Sequence, residues 1–392
     1  MKDNTTRLQK KIREAGLDAL IISAPENVYY ISDVPTSFTN SNRLLFCSRR
    51  ANPIMCIVPR EGEPSLILSA AALDVTKKHT WIKDLKLYAT GTYILRREKV
   101  DLEGMTFLET ITKVLKEKLE DNGRPKRIGI EYNDLSFVNY DGIKKSLQGV
   151  EFSNGLDLLM ETRMIKNAEE IRRFEKANQI LCRVLKKIEK ACKDRPTELE
   201  LDTILKSEML KEGAESWQQT TIAAGPIGGP DIYNQPNPKR KLRHGDLIRL
   251  DIGCIYKGYT ADVSRTFAVE KVNPRAAKVY KVLKEAFMLY LDKLEPGTRS
   301  SEINSGVVSY VRETLDKQYY RGNVGHGTGV ELYDRPILGP DDHTPLQEGM
   351  TISYEVPYHI SGLGGLNLED SVVITGNGKK VVSKYDRDIV VV

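Results

Sequence analysis

The sequence lacks the features that mark several common classes of protein. It has 59 basic and 54 acidic residues and a formal net charge of +5, but no block of about five or six like charges, as in nucleic-acid-binding tails. No stretch approaches the roughly 18 uncharged apolar residues of a transmembrane helix, and charges interrupt the amino-terminal segment where a signal peptide needs an apolar run. We therefore expect a protein that binds neither nucleic acid nor membranes.

Cysteine is scarce and scattered along the chain. The five cysteines are odd in number and include no Cys-x-x-Cys pair, which indicates reduced thiols. Reduced thiols are typical of a reducing compartment, so we expect a cytoplasmic protein. The one glycine cluster that suggests a phosphate loop, GLGGLN at 362–367, lacks the following Lys-Ser/Thr and helix. It is predicted to be a loop between strands.

The length of the chain favours two domains. Its 392 residues exceed the ~250–300 at which a single hydrophobic core stops growing. In residues 1–155, short apolar β-runs alternate with helical periodicity, which predicts an α/β domain. In residues 156–392, long amphipathic helices precede pairs of β-runs separated by glycines, which predicts an α+β domain.

Two β-runs that meet around Tyr256–Gly258 each carry an aspartate. In a tight hairpin centred there, Asp251 and Asp262 would lie opposite each other, with their Cβ atoms roughly 4.5–5.5 Å apart. Because like charges in this position repel, the pair favours a bound cation. The alternative is two solvated acids at the mouth of a hairpin.

A second hairpin repeats this arrangement with glutamates. A turn centred near Gly362 would set Glu355 opposite Glu369. Between the two hairpins in sequence, His326 is flanked by glycines, which predicts an open loop around the imidazole; the alternative is a structural histidine. Four carboxylates and one imidazole suit two divalent ions at the ~3.5–4 Å separation of dinuclear hydrolytic sites.

In order and approximate spacing, these residues resemble the metal ligands of the creatinase/aminopeptidase P/prolidase family of pita-bread metallohydrolases. The matching motifs are LDIG, GYTADVSRTF, GHGTG, GMTISYE and LEDSVVIT. The segment GLDALIISAPENVYYISD also resembles the start of the family's amino-terminal domain, and RMIKNAEEIRRFEKANQI resembles the entry to its catalytic domain. The resemblance implies a creatinase-type domain in residues 1–155, a pita-bread catalytic domain in 156–392, and a homodimer.

The resemblance also implies a role for each of the five residues. Asp251 would chelate one metal ion, and His326 and Glu355 would bind the other. Asp262 and Glu369 would bridge the two ions. Water shared by the ions would become the hydroxide nucleophile, and Glu355 would accept its proton. A carboxylate-rich site favours Mn²⁺, with Co²⁺ or Zn²⁺ as alternatives.

The chain departs from the family pattern on the substrate side of the site. Ile232 and Tyr333 stand near positions where the family has histidines, Asn367 stands where arginine is common, and Val356-Pro357 replaces a Pro-Gly. We therefore expect Tyr333 to polarise the substrate carbonyl as a hydrogen-bond donor. Tyr333, His359 and Asn367 are the predicted substrate-binding residues. For His359, the alternative is a residue at the rim of the site that has no role.

Three functions remain open at this point. The first is hydrolysis of the amide bond next to proline in short peptides, as an Xaa-Pro dipeptidase or aminopeptidase. The second is another metal-dependent reaction on a small nitrogenous or acidic metabolite, because fold and metals do not fix the substrate. The third is a catalytically silent interaction protein, as among the histone-chaperone relatives of this fold. The intact ligand set and the lack of a long acidic tail argue against the third.

Overall fold

Short apolar runs in the first part of the chain form a six-stranded sheet, which a computed structural model places in a unit spanning Met1–Thr162. The structure describes residues 2–35, 54–89, 101–119, 126–231 and 235–392. The strands are β1 (Ala19–Ile22), β2 (Met55–Pro59), β3 (Ser65–Ser69), β4 (Asp84–Tyr88), β5 (Lys126–Ile130) and β6 (Val150–Asn154). They lie in the order β4-β3-β2-β1-β5-β6, and β1 pairs antiparallel with β2 and parallel with β5.

Helices alternate with these strands, as an α/β domain requires. They are α1 (Lys2–Glu14), α2 (Pro25–Ser32), α3 (Leu73–His79), α4 (Phe107–Lys118) and α5 (Phe137–Ser146). Helix α4 begins at a capping box, in which the Thr106 side chain accepts from the Glu109 amide and the Glu109 side chain accepts from that of Thr106. Its apolar face packs on the sheet through Ile111 and Val114. The four cysteines in the described residues are free and buried, whereas Cys47 lies outside those residues.

The second unit, Arg163–Val392, contains two sheets whose strand pairs are antiparallel except for β17 with β9. Their orders are β17-β9-β8-β7 and β11-β10-β12-β15-β16, and β13 pairs separately with β14. The first sheet and the separate pair comprise β7 (Ser216–Ala224), β8 (Leu247–Tyr256), β9 (Tyr259–Ala268), β17 (Val390–Val391), β13 (Tyr358–Ile360) and β14 (Gly364–Leu366). The second sheet comprises β10 (Gly325–Gly327), β11 (Asp334–Ile337), β12 (Thr351–Glu355), β15 (Glu369–Thr375) and β16 (Gly378–Val381).

Helices cover these sheets and form two large hydrophobic cores with them. The helices are α6 (Leu156–Met164), α7 (Ala168–Cys192), α8 (Glu198–Lys211), α9 (Gly225–Gly228), α10 (Pro274–Leu291) and α11 (Ser300–Thr314). Helices α7 and α8 share one core with strands β7 to β9, and α10 and α11 share the other with β12 and β15. The sequence analysis predicted a domain boundary after residue 155, whereas the two units of the structure divide after Thr162. None of the described helices combines the length and apolar character that crossing a membrane requires.

The hairpin of β8 and β9 corrects one prediction. Its turn consists of Lys257 and Gly258, both with positive φ, 46° and 71°, which is the backbone of a two-residue hairpin turn. Asp251 therefore pairs with Ser264 and not with Asp262, which lies opposite Gly253. The predicted register is wrong by two residues because the turn was centred too early. A shift of two keeps every side chain on its face of the sheet, so both aspartates still lie on one face.

The second predicted hairpin is confirmed. Glu355 pairs with Glu369 across β12 and β15. The same hairpin continues as β13 and β14, where Tyr358 pairs with Leu366 around a turn that contains Gly362 at φ 80°. The glycine cluster after this turn belongs in part to β14 and not wholly to a loop.

The predicted open loop around His326 is wrong. His326 is buried on β10, which lies between β11 and β12. A Cβ at Gly325 would collide with the carbonyl oxygen of Ser353, and one at Gly327 with that of Arg335. These two glycines therefore allow the neighbouring backbones to approach each other closely.

Candidate metal centre

The five predicted metal ligands lie on five strands of the second unit. Asp262, His326 and Glu369 form its buried centre, and one potential ligand atom of each lies within 4.8 Å of those of the other two. The His326 Nε2 atom is 3.9 Å from the Asp262 Oδ2 atom. A carboxylate pair and an imidazole at this spacing suit a divalent cation.

Asp251 and Glu355 flank this trio and act on it electrostatically. Burial, followed by the charges of Asp251 and Glu355, raises the pKa of Asp262 well above its usual value. Burial, followed by the charges of Asp262 and Glu355, does the same to the pKa of Glu369. Burial and then Glu355 raise the pKa of Asp251, against the opposing effect of Arg249. Without a cation, the buried acids thus disfavour one another's ionised form.

His326 is held in the protonation state that a metal ligand needs. Its Nδ1 atom is 3.0 Å from the carbonyl oxygen of Gly327, and burial lowers the pKa of the imidazole. In the neutral ring, the Nδ1–H group donates to that carbonyl and the Nε2 lone pair stays available beside Asp262. The Asp262 Oδ1 atom, also buried, has no hydrogen-bond partner within the described part of the chain. Both observations fit a bound cation.

Several polar side chains that the sequence did not single out orient these ligands. Ser264, which faces Asp251 across the hairpin, donates from Oγ to Glu369 Oε2 at 2.9 Å. Gln219 donates from Nε2 to Asp251 Oδ1 at 2.8 Å. The correct hairpin register would have revealed Ser264. Gln219 lies beside a register irregularity in β7, which no pattern in the sequence indicates.

Glu355 lies at the edge of the cluster and has two partners of its own. Arg321 donates from Nη2 to Glu355 Oε1 at 2.6 Å. Asn367, which is buried, donates from Nδ2 to Glu355 Oε2 at 3.2 Å. The predicted substrate-binding residue Asn367 therefore contacts a predicted metal ligand directly. These two donors fix the orientation of the carboxylate.

Tyr333 lies at the entrance to the cluster. Its ring stacks on that of His326 with a centroid distance of 3.9 Å and an interplanar angle of 29°, while the residue stays 53% exposed. Burial and then the charges of the acidic cluster, Glu355 foremost, raise the pKa of its phenol. Tyr333 thus carries a protonated hydroxyl beside the cluster, with part of its surface open to solvent.

A buried ion cluster holds the chain next to Tyr333. Asp334 accepts from Arg163 Nη2 at 2.5 Å and lies 3.5 Å from Lys166 Nζ. All three side chains are 1% exposed. Arg163 also pairs with Glu331 at 2.7 Å. The cluster therefore anchors both ends of the short segment that presents the tyrosine.

His359, on β13, lies beside an arginine that the sequence analysis missed. Its Nε2 atom is 3.1 Å from Arg249 Nη1. Burial, and then the charges of Arg249 and Arg321, lower the pKa of His359 to about 3. Arg249 lies two residues before Asp251 on β8, so strand alternation places both side chains on one face of the sheet. This spacing could have indicated that Arg249 lies near the candidate ligands. Ile232, the other predicted departure, lies outside the described residues.

Family models match most of the chain. The model of the creatinase/prolidase N-terminal domain matches residues 5–165, and that of metallopeptidase family M24 matches residues 172–376. All five candidate ligands fall within the second match.

Two individual relatives are similar to the chain over at least two thirds of its length. The Xaa-Pro dipeptidase of Pyrococcus furiosus is 26% identical over 391 residues, which cover 99% of this chain and 100% of that protein. The Xaa-Pro dipeptidase of Pyrococcus horikoshii is 29% identical over 269 residues, which cover 68% of this chain and 75% of that protein.

Solved structures share the fold. An Xaa-Pro dipeptidase from Bacillus anthracis superposes with a TM-score of 0.82 at 22% identity, over 100% of this chain and 99% of that one. The prolidase from Pyrococcus horikoshii OT3 superposes with a TM-score of 0.80 at 24% identity, over 99% and 100%.

Proposed function

Since the chain belongs to metallopeptidase family M24, we propose that it hydrolyses the amide bond next to proline in short peptides, as an Xaa-Pro dipeptidase or aminopeptidase. Its fold is a creatinase-type amino-terminal domain followed by a pita-bread domain. The observation that carries the proposal is the buried trio of Asp262, His326 and Glu369. The activity in the names of its relatives supplies the substrate class.

Membership in a metallopeptidase family implies divalent metal ions, and the residues present fit them. We propose that Asp251 holds one ion and that His326 and Glu355 hold the other. Asp262 and Glu369 would bridge the two. Two such ions, when bound, polarise a carbonyl group and supply a nucleophile at neutral pH. The predominance of carboxylate oxygens supports Mn²⁺, with Co²⁺ or Zn²⁺ as alternatives.

The side chains around the metals then have separate tasks. Glu355, oriented by Arg321 and Asn367, accepts the proton that the nucleophile loses. Tyr333 donates a hydrogen bond from its phenol to the carbonyl oxygen of the substrate, on which negative charge develops. His359 and Asn367 line the substrate side, where Asn367 acts through its hydrogen bond to Glu355.

A specific observation supports one alternative. Two arginines, Arg249 and Arg321, lie close enough to His359 to lower its pKa, which suits a small acidic metabolite as well as a peptide. A silent binding protein is disfavoured because the sequence carries all five candidate ligands. We also propose a cytoplasmic homodimer, which the family resemblance and the free buried cysteines support. Sedimentation analysis would test the dimer.

Hydrolysis assays on metal-loaded protein test the proposed function. A panel of Xaa-Pro dipeptides would be compared with Xaa-Ala dipeptides of the same first residue, before and after chelation. We expect cleavage of the proline series, loss of activity on chelation, and recovery with Mn²⁺. Elemental analysis should find about two ions per chain. A fully loaded protein that cleaves none of the proline dipeptides would refute the proposal.

A further inference from the structure

We propose that Arg387 is a positioning residue that holds the candidate ligand Glu369 in place for metal binding. It acts through two fully buried residues, Arg265 and Asp370. The inference rests on the proposed function, because it concerns the affinity and the geometry of the proposed metal centre. None of these three residues is itself a candidate ligand.

The two proposed bridging ligands come from different sheets. Asp262 lies on β9 and Glu369 on β15, and these strands belong to the first and the second sheet of the unit. The separation of the two carboxylates therefore depends on how the sheets pack against each other, and not on the register of one strand pair. A functional constellation must be held to within about 0.5 Å of its working geometry. We therefore expect contacts that join the sheets beside these residues to affect metal binding.

Arg265 makes such contacts. It follows Ser264, whose hydroxyl donates to Glu369, and its Nη1 atom donates to the backbone oxygen of Ser264 at 2.8 Å and to that of Glu369. Its Nη2 atom donates to Asp370 Oδ1 at 2.6 Å. Side chains alternate along a strand, so Arg265 and Asp370 point away from the face that carries the ligands. The guanidinium therefore holds the backbone of both strands from behind the site.

The backbone around residue 385 accepts the remaining N–H groups of Arg265. The Nε atom donates to the backbone oxygen of Asp386 at 2.6 Å, and Nη2 also donates to that of Tyr385 at 3.2 Å. All five N–H groups of the guanidinium thus have acceptors. A buried polar network that is fully satisfied is rigid, so Arg265 ties this segment firmly to both strands.

Asp370 is the counter-ion of two arginines. Its Oδ1 atom accepts from Arg265 and also from the Ser383 hydroxyl at 2.9 Å. Its Oδ2 atom accepts from Arg387 Nε at 2.6 Å. The Arg387 side chain is 28% exposed, so its replacement opens no cavity in the core but takes a donor from a buried carboxylate, which is costly. We expect Asp370 to shift toward water in response and to displace the adjacent Glu369.

Metal binding and the order of residues 383–388 should then be linked. A coupling free energy between two sites is reciprocal, so a segment that improves metal affinity must itself be stabilised when the metal binds. Loading with metal should therefore slow the hydrogen exchange of backbone amides in residues 383–388. The Arg387→Met variant should lose most of this effect.

Titration with Co²⁺ tests the proposal, because the visible absorption of this ion reports its coordination. We expect Arg387→Met to weaken Co²⁺ binding by about 10–100-fold, the usual effect of losing a residue that orients a metal ligand, and to alter the spectrum. Arg387→Lys should restore part of the affinity, since its ammonium group can also donate to Asp370. Hydrogen exchange with and without Co²⁺ measures the reciprocal effect.

Lys284→Met is the matched control. Lys284 pairs with Asp388 at 2.5 Å on the protein surface, so this change removes a cation that contacts the same segment without touching Asp370. The Co²⁺ affinity and spectrum of this variant should equal those of the wild type. If circular dichroism shows that Arg387→Met does not fold, Ser383→Ala takes its place, because it removes another donor to Asp370 and should also weaken Co²⁺ binding.

Each outcome has its own meaning. A purely structural role predicts that the metal-free variant resists urea less well while its Kd for Co²⁺ and its spectrum stay unchanged. That result in folded Arg387→Met would overturn the proposal and leave the peptidase function intact. A wild type that binds no Co²⁺ would refute both. Weaker Co²⁺ binding in Arg387→Met, in a protein that cleaves no proline dipeptide, would support the positioning role and refute the peptidase function.

Discussion

Replacing Asp262 with asparagine should affect the metal-free and the metal-loaded protein in opposite directions. In the metal-free protein, burial and neighbouring acids raise the pKa of Asp262, so the folded state binds more protons than the unfolded state above the ordinary carboxyl pKa. Stability is therefore highest at low pH and falls as pH rises toward the folded-state pKa. An amide side chain at this position cannot ionise, so the substitution removes this penalty.

The size of the effect follows from the burial of the group. A buried charge without a partner costs a protein about 3–5 kcal/mol, and an uncharged amide at the same position should recover part of that cost. Taking about 2 kcal/mol, a domain of this size should gain roughly 4–8 °C in Tm at neutral pH without metal. This gain in Tm should be smaller at pH 5, because the wild-type carboxyl group is closer to its protonated form there. With metal, the variant lacks a ligand that we propose serves both ions, so it should bind fewer than two and melt below the loaded wild type.

Thermal melts of chelated and loaded protein at pH 5 and pH 7.5, together with elemental analysis, measure both effects. Asp341→Asn, at an exposed aspartate, is the matched control and should change neither Tm nor metal content. Full metal occupancy and an unchanged loaded Tm in Asp262→Asn would refute the bridging role.

Three other substitutions test the surroundings of the cluster. Tyr333→Phe should lower kcat by about 10²–10³-fold without changing the metal content, because this is the usual effect of losing one donor to a developing oxyanion. A normal kcat in this variant would exclude the donor role. Tyr333→His should retain or raise activity on Xaa-Pro dipeptides. Gly327→Val should prevent folding, because its Cβ would strike a neighbouring backbone carbonyl, while Gly322→Ala, with no atom within 4 Å, should give normal soluble yield and circular dichroism. Asp334→Asn leaves two buried cations underpaired and should cost about 3–5 kcal/mol in urea unfolding; a loss below about 1 kcal/mol would contradict that account.

The strand positions of the four candidate carboxylate ligands were largely predictable from the sequence. Strand alternation has a period of two, so the faces of Asp251 and Asp262 were correct even though the turn was placed wrongly. Glu355 and Glu369 were paired correctly because their hairpin is symmetrical about Gly362. Local periodicity is sufficient to predict which side chains share a face when both strands belong to one hairpin.

The surroundings of the site depend on contacts between distant segments. The glycines around His326 suggested an open loop, yet they serve the close approach of Ser353 and Arg335. Arg321 reaches Glu355 from 34 residues away in sequence, and Arg249 reaches His359 from 110 residues away. No local pattern encodes such pairs, because tertiary packing brings them together.

The acids of the cluster repel one another, so something other than their own contacts must hold them together before metal binds. The strands that carry them also supply the interiors of two hydrophobic cores. Ile252 and Val263 flank the aspartates on β8 and β9 within one core, and Ile352 and Val372 lie on β12 and β15 within the other. Because alternate residues of a strand face opposite sides, apolar burial on one face fixes the positions of the charged groups on the other. Metal binding then relieves a repulsion that the cores already sustain, which makes a site of this kind both preorganised and strongly stabilised by its ions.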